Sequence, residues 1–280
     1  MLERKWLRFR YRINCIVGRQ PKRVAFLHIP KCGGTTVFQH FKTNIGGGRS
    51  GRIAQFDSMS FAKLDAKALE RSRRARFVSG HFGWTALSAA GADAFRFTVL
   101  REPFDRLVSL YKFSRTKQHS DNPIFSAVFE AAKQRSFGDF CLSTEPELKA
   151  LIDNAMTRAL ADDYYPHSSA EPRHVLRAAK EHVDQLDLVV DLADLDDTLP
   201  LLASITGTKL ARQRQWQNRT PAAPVQVLPR EDFESDAGLM SVIAQDCMLY
   251  RYAFPDHEKT STLFVANDWE TASTRNRGEC

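Results

Sequence analysis

The sequence has no run of about 18 apolar residues, the length a helix needs to cross a bilayer. A membrane-spanning helix is therefore not expected. There is no CxxC pair, and the five cysteines (Cys15, Cys32, Cys141, Cys247 and Cys280) are scattered and odd in number. This pattern argues against a disulfide framework and a zinc ribbon, and makes a reducing compartment the simpler expectation. Internal repeats and low-complexity blocks are also missing, so nothing points to a solenoid or a fibrous chain. The N-terminus has no continuous apolar segment of the kind a secretory signal carries. Acidic residues are the minority among the charges, with 33 Asp and Glu against 40 Lys and Arg, a formal net charge of +7. A basic surplus favours anionic partners in general. Nucleic acid, acidic lipid, a phosphorylated or sulfated nucleotide and an acidic glycan all qualify, and charge alone does not choose among them.

What is present is a chain of 280 residues, 43% hydrophobic and 26% charged. That suffices for one large domain or two small ones. Residues 1–22 read as a basic leader. Its Arg and Lys residues interleave with Trp6, Leu7, Phe9, Tyr11 and Ile13. This fits either a peripheral contact with an anionic membrane surface or a solvated leader helix. An ordered domain is expected over 23–256, with a tail over 257–280.

Within the domain, short apolar runs alternate with helical patterns. Val24–Ile29 reads as a strand, and after it comes a helix with Val37, Phe38, Phe41 and Ile45 on one face. Residues 49–60 read as loop, and Lys63–Arg74 as a helix with a basic end. Phe77–Ser79 and Phe95–Leu100 read as strands. Pro103 opens a helix whose apolar face is Phe104, Leu107, Val108 and Tyr111. The region 122–160 is helical in texture. Glu171–Leu186 (helix), Leu188–Leu192 (strand) and Leu199–Ile205 (helix) come next. Residues 211–230 are polar and dotted with proline, and Asp236–Tyr250 reads as one closing helix. The alternation predicts an α/β fold with a mostly parallel central sheet flanked by helices. Ligands in such sheets bind beyond the carboxyl ends of the strands.

Two motifs lie at predicted strand ends. The first is Pro30-Lys31-Cys32-Gly33-Gly34-Thr35-Thr36. Backbone N–H groups of Gly33, Gly34, Thr35 and Thr36 at a helix start are donors without helical partners. With the helix dipole they form an anion cradle. Glycine lets a ligand approach the backbone, Lys31 adds a cation, and Thr35 and Thr36 add hydroxyls. A Walker A loop reads differently, because its lysine comes after the glycines. The second motif is Arg101 at the end of a strand with Ser109 eight residues on, off the apolar stripe. A planar donor fork and a hydroxyl can grip one phosphate together. Pairing of Arg101 with Asp105 on the surface is the alternative.

Together, FLHIPKCGGTTVFQHF and TVLREPFDRLVSLYKF resemble the 5′-phosphosulfate loop and the 3′-phosphate motif of the sulfotransferases that use 3′-phosphoadenosine 5′-phosphosulfate (PAPS). The wording is most similar to the branch that contains the uronosyl and heparan sulfate 2-O-sulfotransferases and bacterial relatives, sulfotransferase family 2. The resemblance spans 24 to about 254 and is specific in these two blocks. It implies a P-loop-like three-layer α/β fold, PAPS as co-substrate and no metal requirement. It places Lys31 at the bridging oxygen between phosphorus and sulfur, and Arg101 and Ser109 on the 3′-phosphate. Cys32 stands where threonine is frequent. A tolerated loop substitution is the favoured reading; a thiol at a helix N-terminus with a lowered pKa, open to oxidation, is the alternative.

For the base that takes the acceptor proton, the sequence favours His81, which comes after the short strand and has an ordinary pKa near 6.5. Its position after Gly80 also resembles that of the catalytic histidine of the 2-O-sulfotransferase branch. His28 reads as support for the loop and His167 as a rival near the acceptor cleft. Glu102 and Asp105 orient a base or cap the helix. Arg158, in a block resembling one in this branch, meets an anionic acceptor or lies exposed on its helix. Gln217-Asn218-Arg219-Thr220-Pro221 resembles a late loop over the nucleotide, with Arg212, Arg214 and Arg219 adding charge. The resemblance implies a carbohydrate or glycolipid hydroxyl as acceptor and no nucleic acid partner. Without an anchor, a cytoplasmic enzyme of bacterial type is expected, and whether residues 1–20 touch the inner membrane face stays open. Oligomeric state is not readable. Two alternatives remain at this level. One is a P-loop kinase or nucleotide hydrolase, which would need a Lys-Ser/Thr pair after the glycines and carboxylates for magnesium. The other is a non-catalytic basic module binding glycan, nucleic acid or membrane, although no nucleic-acid motif organises the basic residues.

Overall fold

The structure is a computed structural model that describes residues 21–45, 53–56, 65–163, 171–209 and 225–255. Five strands form one sheet: β1 (Arg23–Leu27), β2 (Ile53–Phe56), β3 (Phe77–Gly80), β4 (Ala94–Leu100) and β5 (Leu188–Asp191). The spatial order is β2-β3-β1-β4-β5, and every pairing is parallel. All five carboxyl ends therefore share one edge. From β1 the chain builds to one side and then to the other, so β1 marks the reversal where α/β sheets place their ligands. The central strands β3, β1 and β4 are mostly apolar and buried at every residue except Arg23 and Arg96, as helix-covered parallel strands must be.

The helices are α1 (Gly34–Ile45), α2 (Ala66–Arg74), α3 (Trp84–Ser88), α4 (Pro103–Thr116), α5 (Pro123–Gln134), α6 (Phe137–Cys141), α7 (Pro146–Ile152), α8 (Ala155–Ala161), α9 (Pro172–Gln185), α10 (Leu195–Thr206), α11 (Arg230–Ser235), α12 (Ala237–Ser241) and α13 (Ala244–Ala253). On α1, Val37, Phe41 and Ile45 face the sheet core, and on α9 so do Val175, Leu176, Ala179 and Val183. Both stripes keep to the helical period. α4 begins with Pro103 at its first turn and is capped by the Glu102 carboxylate, which accepts from the Asp105 N–H at 2.8 Å. Among the described residues no helix is long and apolar enough to cross a membrane.

Three expectations need correcting. Residues 53–56 are not loop: Ile53–Phe56 adds a strand to the free edge of β3, with Ile53 opposite Phe77. The closing helix is two helices. The Asn154 N–H donates to the Val242 carbonyl at 2.7 Å, and Asn154 Oδ1 accepts from the N–H of Gln245, so a side chain from a distant segment caps the second helix where the first stops. α10 starts at Leu195 rather than 199, carries Pro200 inside it and ends at Gly207, whose φ is +66°.

Candidate active site

The loop after β1 turns on two residues with positive φ, Lys31 at 70° and Gly33 at 75°. Glycine enters this region freely; lysine is strained there, and such strain concentrates at functional sites. Gly34 answers a different need. The His28 ring lies against it, and a Cβ at Gly34 would sit 1.8 Å from that ring. The helix can start this close to the strand only because residue 34 has no side chain.

The loop's donors divide in two. Cys32 N–H donates to the Ile29 carbonyl at 3.3 Å, and Thr36 N–H to the Gly33 carbonyl at 3.1 Å. Thr36 is thus not the open backbone donor the sequence suggested, because the tight turn closes on it. The N–H groups of Lys31, Gly33 and Gly34 donate to nothing among the described residues. They remain, with the start of α1, as the anion cradle.

Lys31 is half-buried, with Nζ 3.6 Å from the centre of the Phe113 ring, a cation–π contact. Burial, then the charges of Arg101 and Lys117, lower its ammonium from 10.5 to about 8. Arg101 leaves the end of β4 and donates to the Lys31 carbonyl at 3.4 Å, joining the second motif to the first. It does not pair with Asp105, which is taken by Arg230 at 3.2 Å. Arg230 also binds Glu102 through two bonds of 3.0 and 2.8 Å. Ser109 is buried on α4, and its hydroxyl has no partner among the described residues.

His81 comes directly after β3. Its N–H donates to the Phe56 carbonyl at 3.1 Å, and its Nδ1 lies 2.6 Å from the His28 carbonyl oxygen. A carbonyl only accepts, so Nδ1 carries a proton, and in the neutral ring the lone pair is on Nε2. The rings of His28 and His81 approach to 4.3 Å between centroids. Burial, then His81 and Lys31, hold the His28 imidazole well below its ordinary pKa, so it stays neutral under the loop. His28 is the loop support that the sequence suggested.

Aromatic rings link the two ends of this site. His81 meets Phe125 at 6.1 Å, Phe125 meets Phe129 at 6.0 Å, and Phe129 meets Phe113 at 6.0 Å. Phe113 then carries Lys31, and also Lys117, whose Nζ lies 4.7 Å from the ring centre. Phe113, Phe125 and Lys117 were not singled out from the sequence. A signal existed: Ser109, Phe113 and Lys117 recur every four residues, one stripe of a helix.

At Cys32 the favoured reading holds and its alternative fails; at Arg158 both readings fail. The Cys32 thiol is 1% exposed, lies 3.8 Å from the Pro30 carbonyl and is pushed by burial up to about 12. Desolvation outweighs the helix terminus, so Cys32 is an inert packed thiol rather than an oxidisable one. Arg158 is neither exposed nor open to an acceptor. It is buried between Asp153, at 3.3 Å, and Asp163, with its Nε on the Asp153 carbonyl at 3.1 Å. His167, Arg212, Arg214 and Arg219 lie outside the described residues.

The arrangement combines an anion cradle, a lysine at its mouth, a histidine with a fixed tautomer and an aromatic wall between them. It can hold a multiply charged anion and take a proton from a hydroxyl beside it. The profile of the sulfotransferase family matches residues 16–215. No curated protein matches the sequence. Among solved structures, the chain is similar to mouse sulfotransferase SULT7A1 complexed with PAP, at 14% identity and a TM-score of 0.36. The match covers 69% of this chain and 61% of that one.

Proposed function

Since this chain belongs to the sulfotransferase family, we propose that it moves a sulfuryl group from PAPS to a hydroxyl of a carbohydrate or glycolipid. The observation that carries the reading is the meeting of Lys31, Arg101 and His81 at one sheet edge, with the His81 tautomer set by the His28 carbonyl. The 5′-phosphosulfate sits on the N–H groups of Lys31, Gly33 and Gly34, with Thr35 and Thr36 adding hydroxyls. Cys32 contributes its place in the turn and no side-chain chemistry. Arg101 and Ser109 take the 3′-phosphate, and Arg219 is assigned to the same nucleotide from the later loop.

The acceptor oxygen attacks sulfur and gives its proton to Nε2 of His81. The bond from sulfur to the bridging oxygen breaks, and its electron pair stays on the leaving 5′-phosphate. Charge grows on that oxygen during the step, so the Lys31 ammonium stabilises the transition state more than the ground state. The half-buried faces of Phe113 and Phe125 give the acceptor an apolar wall between base and cation.

The test is calorimetric titration with 3′-phosphoadenosine 5′-phosphate (PAP), using ADP and ATP–magnesium as controls, and then an acceptor screen with labelled PAPS. Binding that requires the 3′-phosphate and ignores magnesium supports the donor. Preference for ATP–magnesium would promote a kinase. Label appearing on carbohydrate or glycolipid supports the acceptor class, and label only on other hydroxyls removes it.

A further inference from the structure

We infer that Lys117 is a second catalytic cation, which holds the sulfonate oxygens of the donor while Lys31 serves the leaving phosphate. The inference rests on the PAPS-dependent reading above.

Four observations converge on it. Lys117 and Lys31 approach the same phenyl ring, at 4.7 and 3.6 Å from its centre, although they are far apart in sequence. The two ammonium groups are close enough for Lys117 to depress Lys31. Neither has a carboxylate partner among the described residues, whereas Arg135, Arg158 and Arg230 are all neutralised by acidic neighbours. Two like charges left facing each other repel, and a dianionic ligand between them relieves the repulsion. Phe113 is the third part, because its ring attracts both ammonium groups and holds them at the mouth of the loop.

Placement along α4 decides which anion Lys117 meets. Ser109, Phe113 and Lys117 share one stripe, with Ser109 two turns N-terminal to Lys117. If Ser109 marks the 3′-phosphate, the end of α4 lies toward the 5′ side of the nucleotide, where Lys31 is. The group beyond the leaving phosphate on that side is the sulfonate. Lys117 also closes the helix, its N–H donating to the Ser114 carbonyl at 3.2 Å, which fixes where its side chain begins. In the transfer, the three peripheral sulfonate oxygens stay on sulfur as it passes to the acceptor. A cation on them acts throughout and neither gains nor loses a proton.

PAPS and PAP differ only by the sulfonate, so their affinities separate this role from general attraction. Calorimetry on the full chain with each ligand, without acceptor, is the experiment, alongside slow desulfation of labelled PAPS by water. Lys117→Met should weaken PAPS about tenfold, leave PAP within twofold and slow desulfation about 100-fold, the scale of removing one charge-stabilising donor. Lys117→Arg should restore most of the PAPS preference. Equal weakening of both ligands, or an unchanged PAPS affinity, overturns the role of Lys117. Failure of Lys117→Arg to recover anything overturns it as well. If the unmutated protein binds neither ligand, the donor assignment itself has failed, and the inference falls with it.

Discussion

Around the sheet, residues of β1, β3, β4 and β5 pack with α1, α8, α9, α10 and α13 into one apolar cluster. Beyond β4, helices α4 to α7 pack with α11 and α12 into another, built on Phe104, Leu107, Tyr111, Phe137, Phe140 and Phe233. The first cluster is organised by strand pairing, so its carboxyl ends converge and it supplies Lys31, His81 and Arg101. The second has no sheet. It supplies Ser109, Phe113, Lys117 and the aromatic wall from the faces of α4 and α5.

The joint between the two is ionic. Arg106, fully buried on α4, donates to the carbonyls of Leu151 and Ile152 at 3.0 and 3.3 Å, closing the end of α7. Its Nε stands 3.9 Å from the Asp246 carboxylate on α13. Asp246 accepts from the N–H groups of Met156 and Thr157 and from the Thr157 hydroxyl, at the start of α8. Burial raises its pKa, and Arg106 with these donors opposes the rise. One pair thus ties four helices together, and both of its charges act on Cys32 in the loop after β1, which teaches that the reacting edge of the sheet and the joint between the clusters are electrostatically connected.

The largest effect should come from separating chemistry from support. His81→Ala is expected to cut turnover by about 10²–10⁴, the range of a general base, with PAP affinity and melting temperature unchanged. Kinetics, calorimetry and a thermal melt check this. A parallel loss of nucleotide binding would make His81 part of the scaffold.

Asp246→Asn should do the opposite. It leaves Arg106 charged and unmatched in the interior, a loss of about 3–5 kcal/mol. That corresponds to a fall in melting temperature of about 10 °C for a chain of this size. Denaturant unfolding measures it. An unmoved midpoint would mean that the two clusters hold together without the pair.

The third test concerns pH. Lys31 is lowered from 10.5 to about 8 in the fold, so its charge opposes folding in full below about 8, and that cost is relieved progressively as pH rises from 8 to 10.5. Anion binding has the reverse dependence, since it needs the charge. PAP affinity should fall progressively above pH 8, approaching about tenfold per unit. Lys31→Met should flatten this limb, and an unchanged pH profile in that variant would assign the dependence elsewhere.

The smallest effect is expected at Arg230. Its bonds to Glu102 and Asp105 tie α11 to the start of α4, but the side chain is 34% exposed. Solvent screening limits Arg230→Ala to about 1 kcal/mol. A loss of several kcal/mol in unfolding experiments would show that this surface clamp carries weight comparable to the buried joint.

Much of the sheet region can be read in the chain itself. VAFL, FVSG, FRFTVL and LVVD are short apolar runs punctuated by glycine, arginine or aspartate, and each became a buried parallel strand. Val175, Leu176, Ala179 and Val183 named the inner face of α9 by spacing alone. Lys31, Gly33, Gly34, Arg101 and His81 stood out because they lie just past strands, and parallel strands deliver the residues after their carboxyl ends to one edge. β2 was hidden because IAQF is short and part polar, and becomes a strand only where the edge of β3 offers it partners.

Local sequence thus determined the strands, the amphipathic helices and the residue types at the strand ends. Those features arise from periodicities and turn chemistry acting over a few residues. Tertiary structure alone decided the tautomer of His81, the neutrality of His28, the inertness of Cys32 and the burial of Arg158. It also decided the meeting of Lys31 with Lys117 across Phe113. In each case the deciding factor is desolvation or a partner distant in sequence, and neither is encoded in the spacing of neighbours along the chain.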